Sequence, residues 1–373
     1  MDLFEYRANQ WYETLNLQIR LHGPIKAVKA MRGGIFPRAN ANRVPTVEIE
    51  QIIGRISSIS GWYKSWAKNA AARAETAAEA QRQGRKLTAR LAYLQASYLY
   101  FYGQLYIRSN ESERSEGNAK MIDCYKQAAV LLEPRAERVE VSHRDKKIAG
   151  YLRVPSSSSK APCLVMLGGA DTVKEECHYW AENFIERGVA TLTLDGPGQG
   201  EAQPLLPMSA DYEMAISAAR KWLEGRSEID SDRIGLWGCS TGGYLAARVM
   251  AEDSKFKLGV SVGGFYDARR FPDWPVSTQE AFRRLFWLKS FGEVVEYVRE
   301  HVTLSSYMSK IKRPFLIVHG VQDHLVPMDE IQQMANEAGG NAELWAYEDG
   351  THSVWNKLDI VAPLTADWVA ERL

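Results

Sequence analysis

Ile234-Gly-Leu-Trp-Gly-Cys-Ser-Thr-Gly-Gly-Tyr-Leu-Ala-Ala-Arg248 is the stretch that decides the fold. Its first part continues the apolar run that begins at Arg233 and reads as a strand. Its last part, with Val249 and Met250, is a run of small helix-forming residues. Between them, Gly238-Cys-Ser-Thr-Gly242 sets a serine between two glycines, the G-x-S-x-G form of a nucleophile elbow. A serine hydroxyl is a weak nucleophile at its own pKa, so it must stand clear of the backbone to meet a base and an oxyanion-binding pair of N–H groups. Flanking glycines let strand and helix approach closely enough for that. The pattern also arises by chance, and Cys239 beside the serine could be taken for a nucleophile. An elbow exposes only its central residue, so Cys239 is expected to face the core.

Outward from this stretch the chain alternates strand and helix, as a doubly wound, mostly parallel sheet does. The strands are read at residues 163–167, 190–194, 234–237, 258–262, 315–319 and 342–347, preceded by an antiparallel pair at 139–143 and 148–154 joined across Arg144 to Lys147. Helices are read at 173–187, 211–224, 328–338 and 362–373. A serine-rich turn, Ser156 to Ser159, separates the hairpin from the alternating part. Residues 266–312 break the rhythm with Pro272, Pro275 and many aromatics, and are read as a lid insertion over the strand ends. Before residue 135 the periodicity is helical. Trp62, Trp66, Ala70 and Arg73 recur on one face, as do Tyr93, Ala96, Ser97, Tyr100 and Gln104 on another, with a break at Gln83-Gly-Arg85. A loop follows at Ser109-Asn-Glu-Ser112, then a helix from Gly117 to Leu132 stopped by Pro134. The domains are therefore set at 1–134, helical, and 135–373, α/β.

A serine nucleophile requires a base, and the base requires an acid to orient it. Asp323, in Gly320-Val-Gln-Asp-His-Leu-Val-Pro327, and His352, in Glu348-Asp-Gly-Thr-His-Ser353, both lie on loops after strands. Each has a competing reading. Asp323 could cap the helix after Pro327, and Asp349 is a rival acid whose place before Gly350 suits a turn. His22, His143, His178, His301, His319 and His324 compete for the base; none has a matching loop, and His319, at a strand end, reads as structural. The order Ser240, Asp323, His352 is the order found in α/β-hydrolases. One oxyanion N–H is expected from Thr241 and the other from Gly169 or Ala170, in the loop Gly168-Gly-Ala-Asp171; the plainer reading of those glycines is a turn into the next helix. Asp195-Gly-Pro-Gly-Gln-Gly-Glu201 is rich in glycine. It lacks the lysine and the spacing of a phosphate-cradling loop, so no nucleotide is expected.

Composition bounds the remaining classes. Among 373 residues, Lys plus Arg and Asp plus Glu each number 46, giving zero net charge and no electrostatic case for nucleic acid or an anionic membrane. No apolar run approaches a membrane span, and the opening residues do not form a secretory leader, so a cytoplasmic location is expected. Cys124, Cys163, Cys177 and Cys239 lack metal-ligand spacing, so neither a disulfide, a metal nor a cofactor is expected.

Leu167-Gly-Gly-Ala-Asp-Thr-Val-Lys-Glu-Glu176, Asp195-Gly-Pro-Gly-Gln-Gly-Glu201, Gly238-Cys-Ser-Thr-Gly-Gly243, Gly263-Gly-Phe265 and His319-Gly-Val-Gln-Asp323 together resemble the α/β-hydrolase group that contains 2,6-dihydroxypseudooxynicotine hydrolase and the fungal polyketide-shortening hydrolases. The helical stretch Trp62 to Gln104 resembles that group's N-terminal domain. The resemblance implies cleavage of a C–C bond next to a carbonyl in a mid-sized aromatic or polyketide-like molecule, with esterase activity in related proteins. It also implies a helical domain that covers the site and assists homodimer formation. An acidic residue from the lid region is expected to assist, and Asp267 and Asp273 are both candidates. Trp62, Trp66 and Tyr100 are candidates for contact with a flat substrate, although rings on helices more often pack against one another. Two other classes use the same residues: an esterase, thioesterase or acyl-transferring cyclase, and a noncatalytic binder on a hydrolase fold.

Overall fold

The computed structural model describes residues 3–31, 35–107, 110–156 and 160–373; Ser109 of the expected loop and residues 157–159 of the serine-rich turn lie outside the described residues. The chain divides into two compact units, Met1–Glu137 and Arg138–Leu373.

The first unit is helical: α1 Leu3–His22, α2 Pro24–Lys29, α3 Ile35–Ala41, α4 Thr46–Ile53, α5 Trp62–Arg82, α6 Lys86–Gln104 and α7 Glu111–Ala129. Gly84, with φ at +70°, makes the turn between α5 and α6, a left-handed conformation that glycine adopts without steric cost. Helix α7 starts earlier than its apolar spacing indicates, because Asn110 caps it by accepting the Glu113 N–H at 3.1 Å.

In the second unit the strands are β1 Ala136–His143 (whose first two residues belong to the first unit), β2 Lys146–Arg153, β3 Ala161–Leu167, β4 Ala190–Leu194, β5 Ile229–Cys239, β6 Gly259–Val262, β7 Phe315–Gly320 and β8 Ala342–Tyr347. They form one sheet in the order β1-β2-β4-β3-β5-β6-β7-β8. β2 runs antiparallel to β4, and from β4 to β8 every pairing is parallel. β4, β6 and β7 are buried along their whole length, as expected of parallel strands covered on both faces. The covering helices are α8 His178–Ile185, α9 Tyr212–Glu224, α10 Thr241–Glu252, α13 Met328–Ala338 and α14 Leu358–Ala370; residues 266–312 contribute α11 Val276–Leu285 and α12 Phe291–His301. This is the α/β-hydrolase fold with a helical N-terminal unit and an insertion.

Two helices of the second unit also differ from expectation. The helix read over 173–187 is a 3₁₀ turn, Lys174–Cys177, followed by the shorter α8. The last helix begins at Leu358 and carries Pro363 inside it, so proline does not mark its start; a proline this close to the N-terminus forfeits one bond while the apolar face is kept.

The chain passes from β3 to β4 on one side and returns to β5 on the other. The switch point therefore lies between the carboxyl ends of β3 and β5, the place where open α/β sheets hold ligands.

Candidate active site

At that switch point the register sets Leu167 of β3 beside Gly238 of β5, so the loops after the two strands emerge side by side. Ser240 follows β5 in a strained conformation, φ 55° and ψ −121°, and α10 starts at the next residue. The two glycines of the motif are dictated by contact: a Cβ on Gly238 would lie 1.9 Å from the Gly242 carbonyl oxygen, and one on Gly242 would lie 2.2 Å from that of Leu167. Cys239 is buried and Ser240 is half-exposed.

The strand ends hand the geometry across the sheet. Ser240 N–H donates to the Val262 carbonyl at 2.8 Å, and Gly263 N–H to that of Val318 at 2.8 Å. Beyond β7, Asp323 is buried; its Oδ1 accepts the N–H groups of Leu325 at 2.8 Å and Val326 at 3.1 Å. Its Oδ2 lies 2.7 Å from His352 Nδ1, and His352 Nε2 lies 2.9 Å from Ser240 Oγ. Ser240, His352 and Asp323 thus form one hydrogen-bonded line from three loops. Burial alone would raise the Asp323 carboxyl, but the pairing with His352 and the loop N–H groups hold it below the usual carboxylate range. The loops of Asp323 and His352 press against each other where Gly320 meets Gly350: a Cβ on Gly320 would lie 2.3 Å from the Gly350 carbonyl. Past His352, Ser353 and Val354 have φ values of 54° and 50°, rare for a β-branched side chain, and this strained turn carries the histidine back over the strand ends.

Asp349 is exposed and accepts from Lys357, so the rival acid is turned away from the line. His324 is exposed as well. His319 is buried with Nε2 at 3.0 Å from the Val326 carbonyl, where it backs the Asp323 loop; burial lowers its pKa.

Thr241 is the first residue of α10, so its N–H has no acceptor within the helix. Gly169 passes against the nucleophile, since a Cβ placed on it would lie 3.1 Å from Ser240 Cβ. Ala170 is the next residue of the same loop and is half-buried. The segments before and after β4 hold a buried charge cluster. The Lys174 ammonium, fully enclosed, reaches Glu175 Oε1 at 2.7 Å, Asp195 Oδ2 at 2.8 Å and Glu201 Oε1 at 2.7 Å. Burial alone would discharge it, but the three carboxylates hold it protonated. Glu175 is itself pushed up from the carboxylate range by burial and by the charge of Asp195.

Asp273 is exposed on a 3₁₀ turn. Asp267 is buried, accepts the Arg269 N–H at 2.9 Å and pairs with the Arg269 guanidinium at 2.5 Å. Beside it stands Glu330, whose carboxyl burial and the charge of Asp267 push up to about 7. Nothing in the sequence distinguishes Glu330 from the acidic first turn of any helix. Trp62, Trp66 and Tyr100 are buried within the helical unit. Trp62 donates to the Tyr102 carbonyl at 2.9 Å and packs 5.4 Å from Trp66, and the Lys120 ammonium lies over the Tyr100 ring. Among the described residues no group of three or more His, Cys, Asp or Glu side chains is placed to hold a metal ion, and no helix is long and apolar enough to cross a membrane.

A family model described as Esterase FrsA-like matches residues 5–267, and one described as Prolyl oligopeptidase family matches residues 208–371. The 2,6-dihydropseudooxynicotine hydrolase of Paenarthrobacter nicotinovorans is 30% identical over 289 residues, which cover 77% of this chain and 76% of the relative. Alpha/beta hydrolase xenA of Xenoacremonium sinensis is 31% identical over 248 residues, covering 62% of this chain and 57% of the relative. The crystal structure of 2,6-dihydroxy-pseudo-oxynicotine hydrolase superposes with a TM-score of 0.85 at 27% identity, over 91% of this chain and 95% of that one.

Proposed function

Since this chain belongs to the FrsA-like esterase family of α/β-hydrolases, we propose that it is a serine hydrolase that cleaves a C–C bond next to a carbonyl, in a ketone or β-diketone of aromatic or polyketide-like character. The observation that carries the chemistry is the unbroken hydrogen-bonded line from Ser240 Oγ through His352 to Asp323. Ser240 Oγ attacks the carbonyl carbon and gives its proton to His352 Nε2, while Asp323 holds the ring by Nδ1 and balances the imidazolium charge. The N–H of Thr241 and that of Gly169 or Ala170 receive the oxyanion. Collapse of the tetrahedral adduct breaks the C–C bond and expels an enolate, which the imidazolium protonates. Water, deprotonated by the same histidine, then attacks the acyl carbon; the bond to Ser240 Oγ breaks, the imidazolium returns the proton to Ser240 and the acyl group leaves as a carboxylic acid.

The choice of bond is supported by the resemblance stated for the sequence and by a relative from Paenarthrobacter nicotinovorans that bears the name 2,6-dihydropseudooxynicotine hydrolase. The description of the matching family model supports a second reading, ester hydrolysis by the same residues. Benzoylacetone and p-nitrophenyl acetate, incubated separately with the protein and with Ser240→Ala, separate the two. The C–C reading expects benzoylacetone to yield an acid and a methyl ketone, lost by about a thousandfold or more in the variant. Cleavage of the ester alone favours the second reading, and turnover undiminished in Ser240→Ala removes both.

A further inference from the structure

The glycine-rich segment Asp195 to Glu201 has no part in the steps above, yet the amide nitrogen of its one glutamine is committed to the loop beside the nucleophile. Gln199 is buried. Its Nε2 donates to the Gly168 carbonyl at 2.7 Å and to the Gly169 carbonyl at 2.9 Å. Its Oε1 accepts the Gly196 N–H at 3.2 Å and the Tyr212 hydroxyl at 3.0 Å. Every hydrogen-bonding position of the carboxamide is used, and only this orientation of the amide satisfies two carbonyls on one side and two donors on the other. The surrounding glycine is shaped to the same end: a Cβ on Gly196 would lie 2.1 Å from the Tyr212 hydroxyl and expel it.

A trans peptide is planar, with its N–H opposed to its C=O. Turning the carbonyls of Gly168 and Gly169 toward Gln199 therefore turns the N–H groups of Gly169 and Ala170 away from it. One or other of those is the partner of the Thr241 N–H in receiving the oxyanion in the scheme above, and both lie on the loop that flanks Ser240. We propose that Gln199, held in turn by Tyr212, is a positioning residue that fixes the direction of the oxyanion-binding N–H groups. This rests on the serine-hydrolase reading of the preceding subsection. Neither residue touches substrate in this scheme; both act through the backbone of the loop after β3.

A fluorophosphonate probe tests it, because phosphonylation of the serine also builds negative charge on an oxygen in the oxyanion site. The second-order labelling rate is measured across pH for the unaltered protein, Ser240→Ala, Gln199→Met and Tyr212→Phe, with the melting temperature of each. Gln199→Met is expected to label about a hundredfold more slowly, the scale of one lost oxyanion donor, with the midpoint of its pH profile unmoved because His352 and Asp323 keep their partners. Tyr212→Phe, which removes one bond to Gln199, is expected to lose about three- to tenfold, and it decides the matter if Gln199→Met does not fold. Labelling of Gln199→Met, or of Tyr212→Phe where the former is unfolded, within twofold of the unaltered protein overturns the proposal, as does a loss accompanied by a shifted pH midpoint. Equal labelling of Ser240→Ala would instead remove the serine-hydrolase reading itself, whatever Gln199 does.

Discussion

Exchanging Ser240 for glycine should leave a more stable protein than exchanging it for alanine. Ser240 is held at φ 55° and ψ −121°, a region that side chains with a Cβ rarely occupy. Such a residue stores about 1–3 kcal/mol of strain. Alanine keeps the Cβ and therefore the strain. Glycine releases it, at a cost of roughly 0.5–1 kcal/mol from the greater freedom of the unfolded chain. The difference leaves a net of about 1 kcal/mol in favour of glycine. Both variants lose the Oγ bond to His352 equally, so that loss cancels in the comparison. For a domain of this size the difference corresponds to a rise of about 2–4 °C in melting temperature. Calorimetry of the two variants at neutral pH reads it directly. An alanine variant that melts at the same temperature as the glycine variant, or above it, would show that the elbow stores no strain.

Further outcomes follow from neighbouring groups. His352→Ala should lose activity about as severely as Ser240→Ala, by a thousandfold or more, whereas His324→Ala should stay within a few-fold; rates on one ester probe compare them, and the opposite ranking would transfer the base to the other histidine. Glu330, raised to about 7, binds a proton in the folded state that the unfolded chain gives up at its ordinary value. Its contribution to stability is full below the unfolded value and is lost as pH rises through about 7, so Glu330→Gln should flatten the fall in urea midpoint between about pH 5 and 8; an unchanged slope would refute this. Lys174→Met would strand Glu175 and Asp195 and leave Glu201 only its pairing with Arg138, costing roughly 3–5 kcal/mol in denaturant unfolding. A loss below about 1 kcal/mol would mean that Glu175 and its neighbours take up protons freely.

Much of the α/β unit was legible because its strands are short, mostly apolar runs with a glycine within three positions of their end. The runs at 190–194 and 342–347 appear in the structure with the same bounds. Strand β5 starts before its apolar part, Ile234 to Trp237, because Ile229 already pairs with Ala161, and the polar residues Asp230 to Arg233 fall in an irregularity of the ladder before Ile234 meets Cys163. Ser240, Asp323 and His352 could be picked out because each follows a strand, and the structure joins them by two hydrogen bonds. What could not be read were features that depend on contact between distant segments. The Lys174 cluster and the Gln199 carboxamide look like ordinary polar residues of a loop until β3 and β4 are placed side by side. The tryptophans of α5 carry the same ambiguity: helical spacing shows that Trp62 and Trp66 share a face, and only the packing shows that the face is inward.

The distance along the chain between the members of the hydrogen-bonded line has a bearing on biosynthesis. Ser240 and His352 are 112 positions apart, and Asp323 and His352 are 29 apart. A polypeptide emerging from the ribosome presents its serine long before it possesses the histidine, and contacts this remote form late. The elbow can be fully shaped, glycine against glycine, while the nascent protein is still chemically idle. Competence arrives only when the loop after β8 folds back over β7, so recovery of activity during refolding would time that final docking rather than the collapse of the sheet.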